Sequence, residues 1–285
     1  MTPQIRPATR ADAAAVGAFL HAHMNGKIAP EVFARILDYG WEGAPGHRGM
    51  LAQADGAIVG YHGSVGSARW IDGLARPCGS FSSLYVHKSA RGHNLGEEMM
   101  RALVGMTNVT YTVFNPSSRV QDLLERCGFV DLDDTRYVFF GQDAAGPVQI
   151  SRDPGILARL IDRRILEDHV GMPVDPVVLS DRDGEAACIL SAPARTAGGS
   201  AVELLHVSDP AGLARMIAAA APLLLGHDRD LRLHADARYF DGHDPGGRHT
   251  PLPYRRMIRP AAAALPLWRV DHLYSETLLL DLKLG

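Results

Sequence analysis

Cysteine is scarce: three in 285 residues, at positions 78, 127 and 188, too few and too widely spaced for a disulfide framework or a cysteine-based zinc site. They read as buried or half-buried thiols of a reducing cytoplasm. No unbroken apolar stretch reaches the length of a membrane-spanning helix, so none is expected. Met1 to Arg10 carries charge and lacks the apolar core of a secretion signal, which adds to the expectation of a cytoplasmic protein. Basic excess is also missing. The formal net charge is −3, which argues against nucleic acid as the main partner yet leaves room for a local cationic loop. His87, His93 and the Asp241–His249 stretch fit no standard zinc spacing, so no metal is expected. What is present, 46% hydrophobic and 21% charged residues, is the composition of a soluble globular chain long enough for two ordinary domains.

The stretch from Ser80 to Phe129 organises the rest. Phe81, Leu84, Tyr85 and Val86 have the apolar, partly alternating character of a strand. The run breaks at Lys88-Ser89-Ala90, and Arg91-Gly92-His93-Asn94-Leu95-Gly96 opens a helical segment. Leu95, Met99, Leu103 and Met106 then mark one buried helical face. A strand, a basic Gly-containing turn and a helix start present unpaired N–H groups and a positive dipole end, the parts that hold a pyrophosphate. A second strand-like run, Val109 to Phe114, ends in Asn115-Pro116-Ser117-Ser118, and a helix over Val120 to Arg126 closes at Gly128 as its C-terminal cap.

On these residues the chain resembles the GNAT superfamily of acyl-CoA-dependent N-acyltransferases. Their pattern is V-x-P-x-x-R-G-x-G-x-G on a strand–turn–helix, followed by an Asn-led helix ending Y-x-x-x-G-F. Val86, Arg91, Gly92 and Gly96 match it, Gly128-Phe129 closes the second part, and Ile5-Arg6-Pro7-Ala8-Thr9 looks like the family's first strand. The resemblance covers residues 3–140. It departs from the family twice. Asn94 stands where the middle Gly is usual, and Asn is the next-best residue for positive φ. Leu124 stands where the general-acid Tyr is usual, and Leu cannot protonate a leaving thiolate.

The order of elements is α+β or mixed α/β rather than a doubly wound sheet. Thr9 to Asp12 resembles a capping box before a helix whose Val16, Phe19, Leu20 and Met24 face a core. A second helix is expected from Pro30 to Trp41. Asp55-Gly56 joins strands Met50–Ala54 and Ala57–Ser67 as a hairpin, and Asp72-Gly73 is a second turn signal. Gly141 to Pro154 reads as a linker, so the expected domains are residues 1–142 and 150–285.

After a helix over Ile156 to Leu166, the second half repeats the first in outline. Asp183-Gly184 echoes Asp55-Gly56, and a strand over Val202–Val207 precedes a helix over Pro210–Leu224 and a strand over Leu231–Ala235. Asp209 at that helix start would repel a pyrophosphate. The fold expected is therefore a tandem of GNAT-like domains, each a mixed, mostly antiparallel sheet flanked by helices, the second without a cofactor loop.

The resemblance implies direct transfer of an acyl group, acetyl-CoA being the first-choice donor, to the amine of a small molecule such as an amino sugar or an amino-acid-derived metabolite. It implies that the backbone around Leu84, Tyr85 and Val86 pairs with the pantetheine. It also implies that Arg91, Gly92, His93, Asn94, Leu95 and Gly96 hold the pyrophosphate, with Asn115 or Ser117 on the facing side. His23 and Asn25, after the first helix, are acceptor-side candidates. Tyr85, His62 and Asn115 are the acid–base candidates, with Tyr111, Ser82 and Ser83 on the same strands. The alternatives are a non-catalytic acyl-CoA-binding protein, a longer acyl chain, or a hydroxyl acceptor. Monomer and homodimer both remain open.

Overall fold

The computed structural model describes residues 3–41, 46–71, 74–92, 94–106, 108–196, 199–261 and 265–280. His93 and the Asp72-Gly73 turn lie outside them. The chain forms two compact units, each assembled from separated pieces of sequence. The first comprises residues 1–130, 256–264 and 274–282, and the second comprises 131–255, 265–273 and 283–285. Against the boundary expected between residues 142 and 150, the chain leaves the first unit at Val130 and returns to it twice near its end.

The first unit opens with β1 (Gln4–Pro7), α1 (Ala13–His23) and α2 (Pro30–Ala34). Thr9 and Asp12 cap the entrance to α1 reciprocally. Helix α2 is shorter than its apolar spacing predicts. Beyond Ala34 the chain tightens into i→i−3 turns, in which Arg35, Ile36 and Leu37 donate to Val32, Phe33 and Ala34. Ile36 and Leu37 are nonetheless fully buried. Strands β2 (Gly49–Ala54), β3 (Ala57–Ile71) and β4 (Leu74–Val86) form an antiparallel meander. Asp55 (φ 53) and Gly56 (φ 78) make its first turn in the left-handed region, as a two-residue hairpin requires.

Helix α3 (Leu95–Val104) crosses over to β5 (Thr110–Val113), and α4 (Ser118–Arg126) follows. The sheet's last strand is borrowed from the far end of the chain: Met257–Arg259 of β13 (Arg248–Arg259) pair antiparallel with β5. That strand covers an edge that β5 would otherwise leave open. Helix α8 (Glu276–Leu279) belongs to the same unit. Leu95, Met99 and Leu103 of the expected α3 face are buried with Phe81, Tyr111 and Phe129, joined by Met100, while Met106 lies beyond the helix end and is only partly buried.

The second unit contains most of β6 (Val130–Phe140), then β7 (Gln149–Ser151), α5 (Pro154–Leu160), α6 (Arg163–Asp168), β8 (Val174–Asp181) and β9 (Gly184–Ser191). It continues with β10 (Ala194–Thr196), β11 (Gly199–Val207), α7 (Pro210–Leu224) and β12 (Leu231–Asp236). The single helix expected over 156–166 is two, because the Asp162 carboxylate accepts from the Arg164 N–H and starts a new one. Strands β6, β12, β11, β9, β8 and β7 lie in that order, and only β11 and β12 run parallel. Helix α7 buries Leu213, Met216, Ile217, Ala220 and Ala221 in this unit's core. Each unit thus carries one parallel strand pair, bridged by a helix, in an otherwise antiparallel sheet.

All three cysteines are free and buried. No described helix is long and apolar enough to cross a membrane.

Candidate active site

The site in the first unit begins where β4 and β5 part. Their parallel pairing runs from Cys78↔Thr110 to Ser80↔Thr112 and, among the described residues, does not extend to Phe81–Val86. On its other side β4 also breaks step. Tyr85 faces Tyr61, but Ser82 faces Gly63, so β4 carries an extra residue in this interval. The bulge includes Ser83, which has φ 45, a conformation that side chains rarely accept. Beyond Ser80, then, the edge of β4 on the β5 side has no strand partner among the described residues. Leu84, Tyr85 and Val86 are half-buried along this stretch.

The turn that follows reverses into α3. Gly92 has φ 92 and Asn94 has φ 53 and ψ 18, so Asn94 takes the left-handed conformation that its residue type tolerates better than most. Asn94 is the N-cap of α3 and makes no side-chain capping bond, which leaves the first N–H groups of the helix to an external acceptor. A Cβ added at Gly96 would come within 3.7 Å of Val86 and 3.8 Å of Leu84, so this helix start lies close over the end of β4. Arg91 folds back, its Nε donating to the Val86 carbonyl at 3.2 Å and its guanidinium 5.8 Å from the Tyr85 ring. Two acidic residues occupy the first turn of α3, an unfavourable charge for an anion site. One of them, Glu97, is held by Arg101 at 2.7 Å and Arg126 at 3.3 Å, which lower its pKa.

The remaining candidates fall into three groups. His23 meets His87 at 4.7 Å between ring centroids, and Phe19 meets Tyr85 at 5.8 Å, so the end of α1 packs beside the end of β4. Asn25 instead accepts from the Lys27 N–H in a local turn. Asn115 is exposed at the end of β5, where its Oδ1 accepts from the fully buried Arg256 at 2.6 Å. Ser117 is exposed at the N-cap of α4.

His62 and Tyr111 are drawn into the core. The His62 ring packs on Phe81 at 4.5 Å, and burial lowers its pKa to about 3, which makes it a poor base. The Tyr111 hydroxyl donates to the Leu103 carbonyl at 2.8 Å, and burial pushes it up to about 12. Leu124 is fully buried in the same core.

One residue at the site escaped sequence reasoning. Glu276, in α8, accepts from the Ser83 hydroxyl at 3.4 Å, directly at the bulge of β4. Burial pushes its carboxyl up to about 7, with the Ser83 bonds pulling the other way. The sequence marks only the segment that carries it, residues 268–277, which reads as amphipathic and as a candidate wall of an acceptor pocket, without singling out Glu276.

The second unit repeats this geometry with its own atoms in the critical places. Between Leu204↔Leu190 and His206↔Ile189 the register slips, placing a bulge at Leu205. The Leu205 carbonyl accepts from the Tyr239 hydroxyl at 2.8 Å and the His272 N–H at 3.2 Å. Asp209, the N-cap of α7, accepts from the Ala211 N–H, so its carboxylate holds the position an anion would take. Beneath lies a buried charged cluster. Arg238 donates to Asp236, to the Val270 carbonyl at 2.9 Å and, through its backbone N–H, to Asp133 at 2.8 Å. His272 Nε2 lies 2.8 Å from the Asp236 carboxylate. Among the described residues of the chain, no three His, Cys, Asp or Glu side chains gather as a metal would need.

A mixed sheet whose parallel pair parts beside a bulge, with a helix bridging that pair, is the GNAT class of α/β fold; both units have it, and only the first adds a left-handed turn into an uncapped helix. Residues 20–129, within the first unit, match the model of the acetyltransferase (GNAT) family. No functionally curated protein matches the sequence.

Solved structures extend the likeness over nearly the whole chain. A probable N-acyltransferase from Enterococcus faecalis superposes with a TM-score of 0.60 at 12% identity, over 92% of this chain and 73% of that one. A GCN5-related N-acetyltransferase from Anabaena variabilis gives 0.59 at 11% identity, over 90% and 72%. A tandem GNAT protein from the clavulanic acid biosynthesis pathway gives 0.54 at 10% identity, over 93% of this chain and 100% of its own. At these identities the likeness is one of fold.

Proposed function

We propose that the chain is an acyl-CoA-dependent N-acyltransferase that transfers an acetyl group directly to the amine of a small molecule, with one acyl-CoA site, in the first unit. The observation that carries this reading is the left-handed backbone of Gly92 and of Asn94 before the uncapped start of α3, beside the end of β4 that does not pair with β5. N–H groups of that turn and of the first turn of α3, helped by the Arg91 charge, would hold the pyrophosphate. The free backbone edge of Leu84–Val86 would pair with the pantetheine amides and direct an N–H at the thioester oxygen, where charge builds during attack. Leu124 stands in place of the usual acid, yet a thiolate whose pKa is about 8.5 leaves without strong assistance.

Self-occupation of the second unit supports the single site. Its bulge carbonyl is bonded to Tyr239 and His272, and its helix start is capped by Asp209. The near-neutral net charge favours a small acceptor over nucleic acid.

The test is thermal unfolding with CoA, acetyl-CoA and longer acyl-CoAs, for the wild type and an Arg91→Ala, Gly96→Asp double variant, with calorimetric titration for stoichiometry. A ligand at about 100 times its dissociation constant adds about 2.7 kcal/mol, a rise of several degrees. That rise should be present in the wild type, absent in the variant, and accompanied by one site per chain. The ranking of acyl chains names the donor, and a panel of amines then tests transfer. No shift with any CoA in the folded wild type would sink the reading.

A further inference from the structure

The bulge of β4 is faced by a carboxylate that the sequence keeps about 190 residues away: the Ser83 hydroxyl lies 3.4 Å from Glu276 Oε2. Glu276 is half-buried, and Tyr274, two residues before it, sits among an aromatic ring and a cation. Trp41 packs on the Tyr274 ring at 4.9 Å, and Arg69 lies 4.1 Å from the centre of the same ring. One residue before Ser83, the buried Ser82 hydroxyl has no hydrogen-bond partner among the described residues. One hydroxyl and a carboxylate therefore meet at the bulge of β4, beyond the end of its pairing with β5, while the Ser82 hydroxyl lies against Gly63 of β3. Tyr85, Asn115 and His62, the acid–base candidates of the sequence, make no comparable contact with this bulge: His62 packs in the core and Asn115 is engaged by Arg256.

We propose that Glu276 is the general base of the acyl transfer and that the Ser83 hydroxyl links it to the departing sulfur. The proposal rests on the acyltransferase reading above. Glu276 first takes a proton from an ammonium acceptor and passes it to water. The amine lone pair then forms the C–N bond at the thioester carbonyl. As the C–S bond breaks, the second nitrogen proton passes through Glu276 and Ser83 to the thiolate, so amide and thiol leave neutral. This supplies the proton that Leu124 cannot.

A base working near neutral pH needs a pKa near neutral, and burial gives the Glu276 carboxyl one of about 7. The Tyr61 hydroxyl, on β3, is engaged with the Arg48 carbonyl at 2.7 Å. Tyr39 stacks with Arg48 at 4.0 Å, and Arg69 packs on Tyr274. The Glu276 shift comes from burial, with the Ser83 bonds pulling the other way.

The experiment measures kcat/KM against pH for wild type, Glu276→Gln and Ser83→Gly, glycine being chosen because it accepts the φ of 45 without strain. Acetyl-CoA is the donor. The acceptors are the fastest primary aliphatic amine from a panel of amino sugars, polyamines and amino-acid amides, and hydroxylamine, which is already neutral at pH 7. Glu276→Gln should lower kcat/KM about 10²- to 10³-fold for the aliphatic amine, abolish the acidic limb near pH 7, and cost under about tenfold with hydroxylamine. Ser83→Gly should lower kcat for both amines, and the acetyl-CoA thermal shift should survive in both variants. Equal losses with the two amines and an unchanged acidic limb would overturn the base. Wild-type protein that binds acetyl-CoA and transfers to neither amine would overturn the acyltransferase reading itself, a separable result.

Discussion

Replacing Glu276 with Gln should stabilise the protein at the pH where it should also disable it. A carboxyl held at about 7 instead of the ordinary 4.5 is costly to ionise in the folded state. At about 1.4 kcal/mol for each tenfold, the full difference is about 3 kcal/mol. Water at the exposed edge of Glu276 recovers part of this, so about 1–3 kcal/mol is expected.

The sign follows from the folded carboxyl binding its proton more tightly than the unfolded one. The stability it contributes is fully present below about pH 4.5 and is lost as pH rises through about 7. Glutamine has no proton to lose there. Urea unfolding of both proteins between pH 4.5 and 8.5, followed by tryptophan fluorescence, should give a stability difference that grows in favour of the variant and levels off above pH 7.5. The other shifted groups, including His62 and Asp133, are common to both proteins and cancel in the difference. A difference that stays flat across that range would refute the burial argument, whatever the kinetics show.

Two further outcomes follow from the backbone and from the second unit. Asn94→Ala should cost about 1–2 kcal/mol and weaken the acetyl-CoA thermal shift, whereas Asn94→Gly should keep both, because only the left-handed conformation at φ 53 is being tested. Equal behaviour of the two variants would show that the turn does not depend on that conformation. Arg238→Met should lower stability by about 3–5 kcal/mol, since it strips the guanidinium from the buried Asp236 and Asp133. A loss below about 1 kcal/mol in urea unfolding would show that the cluster is not held by its charges.

What was legible in the sequence was what is local. The strand–turn–helix from Phe81 to Leu103 declares itself within about 25 residues, because strand alternation, left-handed turn residues and a helical stripe are each written in neighbouring positions. The repeat was legible for the same reason: helix Pro210–Leu224 was bounded by an N-capping Asp and a Pro at its first position. Helix α2 was read too long because tight turns keep Ile36 and Leu37 at helical spacing without helical bonds. Glu276 and Arg256 were missed for another reason. Their partners, Ser83 and Asn115, are distant in sequence, and nothing in either local pattern records a pairing across that separation. His62 misled because a histidine on a strand looks alike in a core and in a cleft until the ring beside it, Phe81, is known.

The late return of β13 bears on how the protein is made. When the ribosome has finished β5 and α4, the strand that will cover β5 is still more than 120 residues away. At about 5–20 residues per second the nascent first unit must wait roughly 6–25 s with an uncovered edge beside its candidate site. Throughout that interval it offers a foreign strand the place reserved for Met257–Arg259. A chain cut at residue 142 would be fixed in this waiting state, so the acyltransferase half should prove difficult to express alone, and co-expression with a peptide spanning residues 248–280 should rescue it.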